Sequence, residues 1–104
     1  MFRDTLSTRT FAKPLQAAPA PRVSCFSILA EAEPGVMPRV LELFAKRGLV
    51  PRRWVSQVAG PRDRELTMDI QVAGLGADTG AYIARCLEQL QDVERVLTSQ
   101  KPSL

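Results

Sequence analysis

The chain of 104 residues contains no histidine, which removes at once the commonest general base, metal ligand and nucleophile-activating partner. Its two cysteines, Cys25 and Cys86, are too few to staple a small fold and lack a Cys-x-x-Cys spacing. They read as reduced, small hydrophobes and not as a redox or metal pair. No apolar run is long enough for a secretory leader or a membrane span, which points to a cytoplasmic protein without membrane contact. A phosphate-binding loop is missing too: Gly74-Leu75-Gly76 lacks a third glycine and reads as a turn. Aromatic residues make up only 6% of the chain, and Arg52-Arg53-Trp54 is the one place where they meet clustered charge. A surface that stacks bases or follows phosphates needs more than that, so no nucleic-acid partner is expected.

The net charge of +3 is unevenly spread. Four of the fourteen basic residues, Arg3, Arg9, Lys13 and Arg22, stand in the first 22 positions against Asp4 alone, so the remainder is neutral. Pro14, Pro19 and Pro21 interrupt this stretch, and its alanines offer little to bury, so residues 1–22 read as a flexible tail. A hydrophobic content of 45% suits one small domain over residues 23–100. A domain of this size buries only about 60% of its unfolded surface, which favours association with a partner.

From Val23 onward the periodicity is readable. Phe26, Ile28 and Ala30 alternate with Ser27, Leu29 and Glu31, the pattern of a strand that runs into a Pro34-Gly35 turn. Val36, Val40, Leu43 and Phe44 then recur at helical spacing, with Pro38 tolerable only in a first turn and Gly48 a fitting C-terminal stop. The second strand spans Val50 to Ala59 and is followed by a turn-rich break. In the third, Leu66, Met68, Ile70 and Val72 face one way and Thr67, Asp69 and Gln71 the other, a sheet open on one side. Asp78 reads as the N-cap of a second helix that turns Ala81, Ile83, Cys86, Leu87 and Leu90 inward. Val93 to Thr98 supplies a short last strand. The order βαββαβ implies a two-layer α/β sandwich of ferredoxin-like topology, an antiparallel four-stranded sheet with both helices on one face.

Topology does not decide function, so the side chains must. Glu31 and Glu33 are the nearest thing to an acid–base pair, but on a strand end and its loop they read as solvated charge. No convergent catalytic group, metal site or cofactor is expected, and the chain reads as a non-enzyme.

The run Ile28-Leu29-Ala30-Glu31-Ala32-Glu33-Pro34-Gly35-Val36-Met37-Pro38-Arg39-Val40-Leu41-Glu42-Leu43-Phe44-Ala45-Lys46-Arg47-Gly48 resembles the first strand, Pro-Gly turn and first helix of ACT domains. It is especially similar to the short small subunits of acetolactate synthase. Glu65 to Ile70 and Leu87 to Val96 resemble the third strand, second helix and last strand of those subunits. The resemblance implies a homodimer that holds a small amino-acid effector at its interface, with residues Ala32, Glu33, Pro34, Gly35, Val36 and Met37 of the turn and Val50 of the second strand as the effector site. It also implies a large catalytic subunit of acetolactate synthase as partner. A helix N-terminus favours an anion by about 0.3–1 kcal/mol, but Pro34-Gly35 reads equally as a plain strand-to-helix turn. Subunits that sense valine carry asparagine where Ala32 stands and again near Val50. Losing one charge-assisted hydrogen bond, about 1.5–3 kcal/mol, weakens an effector ten- to hundredfold. Two readings follow: a regulatory subunit in branched-chain amino-acid biosynthesis, and a stand-alone homodimeric amino-acid sensor.

Overall fold

A computed structural model describes residues 22–102; the expected tail lies outside the described residues save for Arg22. The elements run β1 (Arg22–Glu31), α1 (Val36–Ala45), β2 (Arg53–Ala59), a 3₁₀ turn (Pro61–Asp63), β3 (Glu65–Ala73), α2 (Ala77–Glu88) and β4 (Val93–Pro102). All pairings are antiparallel and the strand order is β2-β3-β1-β4. This is the ferredoxin-like sandwich that the alternation implies.

The core forms where the inward faces meet. Phe26, Ile28 and Ala30 of β1, Leu66, Met68, Ile70 and Val72 of β3 and Val96 of β4 pack under Val36, Val40 and Phe44 of α1 and Ile83 and Leu87 of α2. Phe26 and Phe44 meet edge to face with ring centroids 5.6 Å apart, tying α1 to the central strand. Thr67, Asp69 and Gln71 lie on the opposite, open face, where Ser27 Oγ donates to Asp69 at 2.9 Å.

Several boundaries differ from expectation for local reasons. β1 starts at Arg22 and β4 runs to Pro102, because the two pair along their whole length and interstrand bonding carries β4 past its apolar residues. β2 begins at Arg53 and not at Val50, which is 84% exposed in the preceding loop. α1 stops at Ala45, and Gly48 takes φ +70° just beyond it, the left-handed conformation that ends a helix. Arg47, beyond the last turn, donates to the Leu43 carbonyl at 3.1 Å. α2 is capped by Gly76, with Asp78 inside its first turn and not at its cap. Ala81 faces outward, and Cys86 is half-buried with Arg47 Nη2 at 3.9 Å.

Candidate functional site

β1 delivers the chain into the Pro34-Gly35 turn with its backbone partly satisfied. The Ala32 N–H donates to Arg64 O at 2.9 Å, Glu33 N–H to Glu31 O at 2.8 Å, and Val36 N–H to Glu33 O at 3.1 Å. The Gly35 and Met37 N–H groups have no backbone acceptor among the described residues, and Pro38 has no N–H to offer. Two donors remain where a helix usually presents more.

Gly35 sits at φ −82°, a conformation open to any residue, so its value is space. A helical side chain leans toward the N-terminus, and Arg39, four residues on, therefore lies over Gly35. A Cβ on Gly35 would stand 2.5 Å from Arg39 Nη1. Arg39 Nη2 donates to Asp92 Oδ2 at 3.4 Å, while its Nε is buried without a partner among the described residues. Asp92 reaches that position from a left-handed turn, φ +73°, between α2 and β4.

The other flank of the turn is acidic. Glu31, Ala32, Glu33, Asp63 and Arg64 line a cavity of about 220 Å³. Glu31 faces Glu65 across the β1–β3 ladder, and a β-bulge between Leu29 and Ala30 brings Glu94 to the same end of the sheet. A hydrogen bond shared with Glu31 raises the Glu94 carboxyl above its ordinary value, helped by lost hydration and by the charges of Glu31 and Glu65 and opposed by Arg95. One turn thus carries the Arg39 guanidinium, paired with Asp92, on one side and three carboxylates with Arg64 on the other.

An ACT-like domain model matches residues 18–103, most of the chain. The chain belongs to the ACT-like domain family. It is similar to the ACT domain of GTP pyrophosphokinase from Chlorobium tepidum, at 17% identity over 74% of this chain and 96% of that one, with a TM-score of 0.62. The small subunit of acetolactate synthase from Thermotoga maritima is 25% identical over 73% of this chain and 46% of that one, TM-score 0.62. The regulatory subunit of aspartate kinase from Thermus thermophilus is 17% identical over 78% of this chain and 52% of that one, TM-score 0.59. The chain thus spans about half of each of those two subunits. No curated protein matches it.

Within this ACT-like domain, Ala32, Glu33, Pro34, Gly35, Val36 and Met37 stand together at one end of the sheet. Val36 is buried in the core, Ala32 is half-buried, and Met37 is exposed. Val50 is elsewhere. It precedes Arg53, which pairs with Gln71, whereas the turn follows Glu31, which pairs with Glu65 at the far end of the same ladder. The seven residues of β2 hold these ends about 20 Å apart at roughly 3.3 Å per residue. One chain does not bring Val50 to the turn.

Sequence reasoning passed over Arg39, Asp92 and Glu94. Arg39 was findable from its i+4 spacing to Gly35, whereas Asp92 and Glu94 arrive through a turn and a bulge 53 or more positions away in sequence. No helix among the described residues is long and apolar enough to cross a membrane, and no cluster of three or more His, Cys, Asp or Glu there could hold a metal ion.

Proposed function

We propose that this domain is a cytoplasmic, non-catalytic regulatory module that binds a small amino acid at the turn before α1 and acts on a catalytic partner of the acetolactate synthase type. The observation that carries the ligand reading is the pairing of opposite charges across the turn. Arg39, with the Gly35 and Met37 N–H groups, suits the effector carboxylate, and the cavity edged by Glu31, Glu33 and Asp63, whose three carboxylates outweigh the single cation Arg64, suits its ammonium. Arg39 would stand in for the polar partners lacking at Ala32 and Val50.

Completing the site requires a second copy, because Val50 reaches the turn only from a neighbouring subunit. The two sheet edges differ in how they receive one. β4 carries Glu94, Arg95, Lys101 and Pro102, residues that discourage pairing, whereas β2 has no charge from Trp54 to Ala59 and exposes Val55 and Val58. Met37 and Leu41 of α1 add exposed apolar surface. Homodimerisation along β2 is the arrangement these features favour.

Likeness to the acetolactate synthase small subunit supports the choice of partner. Mixing the protein with an acetolactate synthase large subunit should raise acetolactate formation, and valine should alter that rate. No stimulation and no co-purification would reject the partnership. The uncharged, exposed β2 edge also fits a second reading, a stand-alone amino-acid-sensing homodimer. A valine-dependent rise in melting temperature without any effect on a synthase would single it out.

A further inference from the structure

The alternation of β1 assigns position 24 to the inward face, in line with Phe26, Ile28 and Ala30, and a serine stands there. Ser24 pairs in register with Val72 on one side and Gln100 on the other and is 4% exposed. Its Oγ has no hydrogen-bond partner among the described residues. A buried hydroxyl without a partner is destabilising, and native structures keep few such groups without a reason.

Across from Ser24 stands Gly80, the fourth residue of α2 and a poor helix former. Close packing does not demand this glycine: a Cβ would come to rest 3.6 Å from Ser24 Oγ, an ordinary contact. The missing Cβ instead leaves room. A cavity of about 180 Å³ opens beside Gly80, between the first turns of α2 and the edge strand β4. Phe26 supplies its apolar floor, Ala77 and Ala81 a shallow wall, and Thr98 and Gln100 a hydroxyl and an amide.

We propose that this groove binds a small uncharged molecule that bears an amide or hydroxyl at one end and a branched apolar group at the other. The polar end pairs with Ser24 Oγ and with Thr98 or Gln100, and the apolar end covers Phe26. Among the described residues, no charged side chain lines the cavity. Asp78 in the first turn of α2 opposes the dipole that would otherwise draw an anion. The volume corresponds to about six waters' share of the liquid, which limits the guest to a handful of heavy atoms. This groove lies at the β1 end opposite Ala32, so it is separate from the turn proposed for the amino-acid effector.

Titrating the full chain with isobutyramide while following backbone amide resonances tests the assignment. Saturable shifts are expected at Ser24, Gly80 and Thr98, and sodium isobutyrate, the same shape with a negative charge, should bind at least tenfold more weakly. Gly80→Ala fills the cradle with a better helix former, so it should melt higher and lose at least tenfold in affinity. Ser24→Ala should remain folded with a similar loss. Absence of saturable shifts at these residues, shifts confined to residues 32–39, equal or tighter binding of isobutyrate, or unchanged affinity in both variants would each overturn the proposal.

Discussion

Both helices start from a glycine cap, yet their N-termini have become opposite environments. At α1 the space above Gly35 is filled by the chain itself: Arg39 folds back over it, Pro38 deletes a donor, and Asp92 holds the guanidinium. At α2 the cap Gly76 is in an extended conformation, Asp78 occupies the first turn, and small residues leave a groove over a serine that has no partner among the described residues. The same dipole points out of both ends. Which one suits a charged ligand is set by the charged side chain within four residues of the cap, a cation in the first helix and an anion in the second.

The largest effect should come from removing an anchor beneath one helix and sparing the other. Phe44 is fully buried and meets Phe26, so Phe44→Ala should cost about 3–5 kcal/mol by urea unfolding. Amide protection should fall more in α1 than in α2, which keeps Ile83 and Leu87. Equal loss in both helices would mean that they are not separately anchored.

Next in size is the effect on binding at the α1 turn. The Arg39–Asp92 pair is long at 3.4 Å and its side chains are 40% and 26% exposed, so Arg39→Ala should change stability by less than about 1 kcal/mol. It should nevertheless weaken amino-acid binding about ten- to hundredfold, the worth of a charge-assisted hydrogen bond, as calorimetry would measure. Gly35→Asp should have the same outcome by the opposite route: its carboxylate meets the guanidinium and occupies the place of a ligand carboxylate. Unchanged affinity in both variants would move the effector site off this turn.

Smaller still is the contrast between the caps. Gly76 has N-cap geometry, φ −72° and ψ 161°, but no side chain to cap with, so Gly76→Asn should stabilise the domain by a few tenths of a kcal/mol. Gly35, at φ −82° and ψ −6°, has no such geometry, and asparagine there would displace Arg39. Thermal melts of the two variants should move in opposite directions.

How much of this was legible beforehand follows the range of the interactions. Alternation in β1 and β3 and the helical spacing of Val36, Val40 and Phe44 are local, and they yield the element order and most of the core. The Pro-Gly turn was equally visible, because a strand must stop and a helix must start there. Arg39 was hidden in plain view, since its role depends on which way helical side chains lean and not on any motif. The bulge at Glu94 and the left-handed Asp92 depend on how β4 docks against β1, and no local pattern encodes them. Length of β4 failed for a related reason: pairing with β1, not its own apolar residues, carries it to Pro102.

The bulge yields the subtlest contrast between the two ends of the sheet, one with crowded carboxylates and the other, around Ser24, with no carboxylate among the described residues that line its groove. Glu94 hydrogen-bonds Glu31 best when Glu94 holds its proton, and its raised value expresses this. Because the folded protein holds that proton more tightly than the unfolded chain, whose reference value is 4.5, the resulting stabilisation is complete below that value. It is lost as pH rises through the higher folded value, where the charges of Glu31, Glu65 and Glu94 repel one another. Glu94→Gln keeps a hydrogen-bond donor toward Glu31 and removes the charge. The variant should therefore be slightly more stable than the parent at neutral pH and indistinguishable from it at pH 4, with a flatter melting temperature profile between. Ser24→Ala, at the other end, should leave the shape of that profile unchanged. A Glu94→Gln profile parallel to the parent's would show that the bulge places Glu94 without coupling it to Glu31.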